Sequence, residues 1–562
     1  MRHRVVENKS CVDRGSTPLA RRKFLHILIS KHSVGFQRIK NTLLMGTDYG
    51  THNQRPSAFP VKDGLFKQRD SARAGTITGR ERKRIQRVDL VGVVRFLMMR
   101  FLVLFRGTFQ GFRHPEFCSL VRLIGGLERA DAFQGLQPCW KGEGNEETRQ
   151  HGDVFQWVEL DSLEEARRIA SRSVLIRAIF ICWGCGRSYQ ECLDNVLETD
   201  PDMEPLLSDG DESFKCVIDG FGRSYSYDDQ ISKMTFFTPV LSKLKAKVRL
   251  KKPAHEIWIM EDVFPSKGHR HIPDRSEQPR QVFLGLKIAD GGHHYASSYT
   301  LKRRKYIGTT SMDAELSFIM ANQAVVKPGS VVMDPFVGTG SIIISAAAFG
   351  AEVIGSDIDM NVLRGKEDRD IRSNFSQYNL NFPAGIIRCD LLKSPWRDGS
   401  VSGGWLDAIL CDPPYGIREG SRSFNEYEVP EELKAGHIPQ TKRVRFSDHL
   451  VNLLDFAAKN LVVHGRLVFW LPTTPDYSDE DVPTHACMKL VSNCEQVLTM
   501  RFRRRLLTFE KFHSLERAEL DSELVRLTYG ERSTKSAHTN FAATVLRQQH
   551  RREETLELPR RK

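Results

Sequence analysis

The sequence predicts an α+β half followed by an α/β half built on a doubly wound, mostly parallel sheet. Three observations carry this. Residues 331–350 read as strand, glycine turn and helix. Four strand-like runs end in order on acids, at Asp334, Asp357, Asp390 and Asp412. Residues 99–245 mix short strands and helices with no internal repeat.

The 562 residues are enough for two or more domains with ample core. The net charge of +13 is concentrated at one end: residues 1–97 hold 21 Lys/Arg against 7 Asp/Glu. The rest is close to neutral, so any polyanion surface on the folded part must be a local patch. Residues 1–97 read as a disordered basic extension. No acid lies between Asp13 and Asp48, and Leu19 to Lys40 can form a basic amphipathic helix. A mitochondrial targeting segment and an RNA tether are alternative readings; a non-essential extension is preferred. The apolar stretch Val91 to Phe105 is broken by Arg95 and Arg100 and is too short for a bilayer, so no membrane association is expected. Eleven scattered cysteines suggest reduced thiols and a cytoplasmic location. Cys182-Trp183-Gly184-Cys185, with Cys192 nearby, has zinc-like spacing but lacks a second paired set. Buried free thiols are therefore expected there, and no metal.

In the first half, Phe101 to Phe105 is strand-like and Pro115 to Ile124 helical. Val154 to Leu160 alternates like a strand and stops at Asp161-Ser162, which caps a helix from Leu163 to Arg172. Val174 to Cys182 and Phe214 to Gly220 are further strands, followed by a helix from Tyr227 to Thr235. From 243 to 251, charge falls at every second residue: Lys243, Lys245, Lys247, Arg249 and Lys251. In a strand this alternation lines one face with cations and turns the other to the core. Like charges on one face repel, so contact with a phosphate backbone is preferred over a solvated face. Lys302-Arg303-Arg304 and Arg503-Arg504-Arg505 are weaker candidates.

In the second half, Val331-Val332-Met333 runs into Asp334-Pro335-Phe336-Val337-Gly338-Thr339-Gly340, and Ser341 to Phe349 reads as a helix ended by Gly350. Gly338 and Gly340 let the backbone approach a ligand at a helix N-terminus. The dinucleotide fingerprint wants a third glycine where Ile343 stands. An acid at this strand end repels a pyrophosphate but welcomes the ammonium of a methionine moiety. The run Asp334, Pro335, Phe336, Gly338 and Gly340 therefore favours S-adenosyl-L-methionine over NAD. Val353 to Asp359 is the next strand, with Asp357 or Asp359 placed for ribose hydroxyls. Ile386 to Leu391 follows, and Asp390 can accept a bond from the adenine amino group.

Leu406 to Cys411 ends on Asp412-Pro413-Pro414-Tyr415. This tetrapeptide suits the grip of a planar exocyclic amine: acid and proline carbonyl accept its N–H bonds, and the ring of Tyr415 stacks on the heterocycle. From Tyr415 to Phe446 there is no clear periodicity, and Arg418, Arg422, Lys434, Lys442, Arg443 and Arg445 fall there. A substrate-contacting loop is preferred. Ser447 caps a helix whose Leu450, Leu453, Leu454, Ala457, Ala458 and Leu461 mark one apolar face, ended by Gly465. Arg466 to Leu471 resumes the sheet. Lys489 to Leu498 and Arg505 to Lys511 supply the last antiparallel pair of a seven-stranded methyltransferase sheet.

Tyr306 to Asp313 and on through Asn322, Asp334 to Gly340, Asp412 to Glu419 and Val491 to Gln496 closely resemble the catalytic subunit of the eukaryotic tRNA guanosine-10 (2-amino) methyltransferases. Leu250-Lys251-Lys252-Pro253 and Ile288-Ala289-Asp290-Gly291 anchor the looser N-terminal half, and the resemblance covers roughly residues 99–515. It implies a ferredoxin-like segment and a THUMP RNA-binding domain in 98–265, then a Rossmann-like methyltransferase domain in 266–515. A disordered extension, 1–97, and a charged tail, 516–562, flank them. It also implies methylation of the guanine 2-amino group at position 10 of tRNA and a small zinc-containing activator subunit in a heterodimer. Asp412, Pro413, Pro414 and Tyr415 are then catalytic, and Arg418 joins the RNA contacts. Ser341 stands where the pattern has another small residue. The same acid-Pro-Pro-Tyr motif also serves adenine 6-amino methylation of DNA or RNA. A non-catalytic RNA-binding subunit that retains the fold is the reading from another class.

Overall fold

The computed structural model describes residues 98–139, 154–203, 206–207, 212–221, 223–262, 279–396, 403–415, 421–425, 432, 440–444 and 446–513. The basic extension, Arg418 and the charged tail lie outside the described residues. Among the described residues no helix is long and apolar enough to cross a membrane.

The first half is built on one eight-stranded sheet in the order β2-β3-β1-β4-β8-β7-β5-β6. Its strands are β1 (Met99–Phe105), β2 (Gln137–Pro138), β3 (Phe155–Leu160), β4 (Ile176–Gly186), β5 (Ser213–Asp219), β6 (Lys247–Val248), β7 (His255–Asp262) and β8 (Gln281–Asp290). The longer helices that accompany them are α1 (Arg113–Ala132), α2 (Leu163–Arg172), α3 (Tyr189–Thr199) and α4 (Tyr227–Phe236). Phe101 to Phe105 are all fully buried, as a continuous apolar strand inside a covered sheet must be. The predicted cap on α2 is present: Ser162 Oγ accepts from Glu165 N at 3.1 Å, and Glu165 reaches back to Asp161 N at 2.6 Å.

Two expectations fail in this half. β8 pairs with β4 on one side and β7 on the other, so residues 281–290 belong to the first sheet and the boundary expected at 265/266 falls too early. The cationic run is not a core-facing strand either. Only Lys247 and Val248 pair, with β5, while Val248 is 70% and Leu250 78% exposed. Lys243, Lys245, Lys247, Arg249 and Lys251 are all exposed. Leu244 and Ala246 pack on the core, but Val248 and Leu250 lie in water, so the alternation does not give one continuous buried face.

The second half is a seven-stranded sheet in the order β11-β10-β9-β12-β15-β17-β16. It comprises β9 (Val331–Asp334), β10 (Glu352–Asp357), β11 (Gly385–Arg388), β12 (Leu406–Cys411), β15 (Leu461–Thr473), β16 (Met488–Val497) and β17 (Arg503–Lys511). The pairs from β11 to β15 are parallel and β17 runs antiparallel. A separate small hairpin pairs β13 (Arg422–Phe424) with β14 (Thr441–Arg443), so part of the unpatterned loop has structure of its own. Helices α5 (Ala314–Gln323), α6 (Ser341–Ala348), α7 (Met360–Arg364), α8 (Ile371–Gln377) and α9 (Phe446–Asn460) complete the fold. The strand order reverses between β9 and β12, which opens a crevice beyond their carboxyl ends.

α9 starts one residue before Ser447 and gives way directly to β15 at Leu461, not at Gly465. Gly465 is required inside the strand, where an added Cβ would lie 3.0 Å from Asp407 O. Its apolar face is as read: Leu450, Leu453, Leu454, Ala457 and Ala458 are buried in a core with Phe469 and Phe509.

The two halves share a core in which Phe101 and Phe112 meet Leu316, Ile343 and Trp470. A buried polar network crosses the same junction. Glu116 of α1 accepts from Asn322 Nδ2 at 2.7 Å and Ser173 Oγ at 2.5 Å, while Arg172 Nε donates to Asn322 Oδ1 at 2.8 Å. Beside it, Glu510 of β17 pairs with Arg122 of α1 and with Arg466 of β15 at 3.2 Å.

Candidate active site

Asp334 ends β9 and is 1% exposed. Its Oδ1 accepts from Phe336 N at 2.9 Å, whereas Oδ2 is buried without a partner. Burial pushes this carboxyl well above the usual range, and the neighbouring Asp357 and Asp412 push it further. A buried acid beside two others calls for a cation. The ammonium of a methionyl group fits that orphaned oxygen, and a pyrophosphate does not.

The glycine turn serves the same corner. Gly338 has φ +49° and donates its N–H to Asp357 Oδ2 at 2.9 Å, tying the first turn to the end of β10. Gly340, at φ +81°, leads into α6 and does not line the crevice; an added Cβ there would lie 3.0 Å from Ile371. Of the two candidates for ribose, Asp357 is half-buried at the strand end. Asp359 is exposed and caps α7 by accepting from Asn361 N at 2.9 Å.

Asp390 is buried but already committed. Oδ1 accepts from Leu392 N at 3.0 Å, and Oδ2 accepts from Ser423 Oγ at 2.7 Å and Phe424 N at 2.8 Å. The acid expected to face adenine therefore also fastens the β13–β14 hairpin.

At the end of β12, Tyr415 turns its hydroxyl onto Asp412 Oδ1, and its ring meets Phe446 edge-on at 6.2 Å. The ring expected to lie open for stacking is thus folded back on the acid. Burial and the adjacent carboxylate push the Tyr415 phenol far above its ordinary range, so it stays a donor. Arg504 Nη1 stands 3.9 Å from Asp412 Oδ2. Its guanidinium lies 4.0 Å over the Trp470 ring, and Nε donates to Gln496 Oε1 at 2.7 Å. Pro414 O accepts from Ser421 Oγ at 2.9 Å.

Asp334, Pro335, Phe336, Gly338, Asp357, Asp359, Asp390 and Asp412 to Tyr415 all line one cavity of about 1330 Å³. Ligand pockets usually run to roughly 300–1,000 Å³, so this one has room for a second reactant beside a cofactor. The corner acid faces the crevice that holds the other acids.

Several contributors were missed from sequence. Arg504 belongs to a run read as a weak RNA contact. Period-two alternation turns Arg503 and Arg505 to the opposite face, where both pair with Glu495 at 3.0 and 3.1 Å. That alternation was the available signal. Arg304 is likewise structural, donating to Ser341 Oγ and Tyr299 O at 2.8 Å. Ser311, 2.7 Å from Thr339 Oγ1, and Tyr306, whose hydroxyl donates to Val362 O at 2.7 Å, also line the cavity. The cations from Lys243 to Lys251 line the first sheet's surface and take no part in the crevice. Cys182, Cys185 and Cys192 are free thiols. Among the described residues no group of three side chains has metal-binding geometry.

Residues 147–293 match the family described as "Tmrp11 THUMP N-terminal domain", and residues 302–429 match "RMKL-like, methyltransferase domain". The chain is 36% identical over 451 residues to the tRNA (guanine(10)-N(2))-methyltransferase TRMT11 of Bos taurus, covering 76% of this chain and 92% of the relative. Against the Homo sapiens protein of that name it is 37% identical over 451 residues, covering 76% and 91%. For Dictyostelium discoideum the figures are 36% over 433 residues, covering 74% and 82%. Among solved structures, TrmN from Thermus thermophilus aligns at 17% identity with a TM-score of 0.35, covering 74% of this chain and 100% of that one.

Proposed function

The chain belongs to the tRNA (guanine(10)-N(2))-methyltransferase family, and from that premise we propose that it methylates the 2-amino group of guanosine 10 in tRNA with S-adenosyl-L-methionine as donor. The observation that carries the site assignment is the orphaned Oδ2 of Asp334, in one cavity with the Asp412-Pro413-Pro414-Tyr415 corner.

When bound, the cofactor supplies an electrophilic methyl group. Asp334 would hold its ammonium, and Asp357 its ribose hydroxyls. Asp390 keeps lone-pair capacity for the adenine amine beside its hairpin bonds. The chain's own work is on the nucleophile. Guanine's amino lone pair is delocalised into the ring, so the nitrogen attacks only once it is held and rotated. Asp412 and the Pro413 carbonyl would accept the amino hydrogens and draw the nitrogen toward a pyramidal shape. Arg504, stacked on Trp470, stands as a cation beside Asp412 and helps aim its carboxyl group. Tyr415 holds that carboxylate until a base, unstacked from the tRNA, displaces its hydroxyl and takes the ring as a stacking partner. Orientation of this kind draws on the roughly 7–11 kcal/mol available from fixed geometry.

The exposed cations Lys243, Lys245, Lys247, Arg249 and Lys251 suit a phosphate-backbone contact on the first half. A small zinc-containing activator subunit as heterodimer partner, implied by the sequence resemblance, and a cytoplasmic location, suggested by the scattered cysteines, belong to the same proposal. Mass spectrometry of tRNA nucleosides after incubation with labelled cofactor, with and without an activator, tests it. 2-Methylguanosine at position 10 is the expected product. Label in 6-methyladenosine, or none under either condition, overturns the assignment.

A further inference from the structure

The β13–β14 hairpin stands at the mouth of the crevice: Arg422 and Thr441 line the same cavity as Asp412. Register sets Arg422 directly opposite Arg443, so the two guanidinium side chains leave one face of the ribbon side by side, both exposed. Like charges at directly opposed positions of an antiparallel pair destabilise it. Among the described residues no carboxylate pairs with either; Arg422 Nη1 donates only to Thr441 Oγ1, at 3.3 Å.

Other contacts hold the same short ribbon firmly in place. Ser423, 3% exposed, and Phe424 N both donate to the buried Asp390. Lys393 Nζ donates to Phe424 O at 3.2 Å, and the Arg388 guanidinium lies 4.8 Å over the Phe424 ring. A ribbon that its own charges would splay is therefore anchored to the cofactor side of the crevice. Two uncompensated guanidinium forks in a fixed position match a phosphate, which accepts paired N–H bonds from each.

We propose that this hairpin is a phosphate clamp. Arg422 and Arg443 take the phosphodiester backbone beside the nucleotide whose base enters the crevice, and Asp390 and Ser423 position the clamp. The proposal rests on the reading of the substrate as tRNA. An extruded base leaves its flanking phosphates at the cavity mouth, where these cations stand.

The test is tRNA binding by the full chain across a potassium chloride series, for wild type, R422A/R443A and R422K/R443K, with calorimetric titration of S-adenosyl-L-methionine alongside. The alanine pair should lower the slope of log K against log salt by about 1.4–1.8, from two contacts at ~0.7–0.9 each. It should also raise KM for tRNA, with cofactor affinity unchanged. The lysine pair should keep the slope but raise KM several-fold, since the paired bonds are lost. If the alanine pair also loses cofactor binding, R443A alone, at an exposed position, is read by its slope, with about half the change expected. A wild-type slope and KM in these variants, with the wild-type chain methylating tRNA, overturns the clamp and leaves the function intact. A wild-type chain that neither binds nor methylates tRNA under any condition overturns the functional reading itself.

Discussion

Asp412 and Asp334 face one cavity with opposite needs. Asp412 has Tyr415 and Arg504 as polar neighbours, and Asp334 has an oxygen with nothing to hold it. Asp412→Ala should therefore lower methyl transfer about 10³-fold or more, roughly 4 kcal/mol of transition-state positioning. Cofactor affinity should stay within about threefold. A tritium-transfer assay beside calorimetry reads both, and near-normal turnover would remove Asp412 from the chemistry. Asp334 carries a pH signature. Its folded pKa is raised by burial and by Asp357 and Asp412, so the folded state binds the proton more tightly than the unfolded chain. Its contribution to stability is complete below the unfolded value and is lost as pH rises through the folded one. A cationic ligand needs the carboxylate, so binding should release a proton, and affinity should fall on acidification at pH values above the ordinary carboxylate range. Calorimetry in buffers of different ionisation heat detects that proton. Asp334→Asn should abolish the pH dependence and weaken cofactor binding tenfold or more; unchanged proton release would place the cofactor elsewhere.

Elements of the fold were legible wherever a local rule decided them. The Ser162 cap, the apolar face of α9 and the acids closing β9, β10 and β12 each follow from spacing within a few residues. What escaped was set by distant partners. No local pattern tells β8 to enter between β4 and β7, and alternation of lysines cannot reveal that Val248 and Leu250 lack a core to face. Arg504 was misread for the same reason, because its value comes from Trp470 and Asp412 on other strands. β17 shows how such partners are joined. Its Glu510 gathers Arg122 from α1 with His464 and Arg466 from β15. Burial alone would raise this carboxyl, but Arg122, His464 and Arg466 outweigh it and hold its pKa below the usual carboxylate range. Its stabilisation is therefore present above the unfolded value and lost as pH falls through the folded one. Glu510→Gln should cost about 3 kcal/mol at neutral pH by leaving the buried Arg466 and the half-buried Arg122 without their carboxylate. Denaturant melts should show that gap closing below about pH 4. An equal gap at both pH values would assign the loss to packing.

Among the described residues the halves are joined by a shared core and a buried polar junction. Asn322, fully buried, donates a hydrogen bond to Glu116 and accepts one from Arg172, so it links α5 to α1 and α2. Asn322→Ala should cost about 2–3 kcal/mol by leaving Glu116 short of a donor. Thermal melts should show one transition at lower temperature, not two, because neither half keeps a complete core alone. Two separated transitions would mean that the halves unfold independently. The place of β8 bears on how the chain is made. Strands β2, β3, β1 and β4 form one ribbon and β7, β5 and β6 another, and only β8 zips them together. On the ribosome, residues up to Asp262 emerge as two fragments with open hydrogen-bonding edges, the feature that invites wrong pairing between nascent chains. Those edges stay bare until Gln281 to Asp290 have been made and can pair with both.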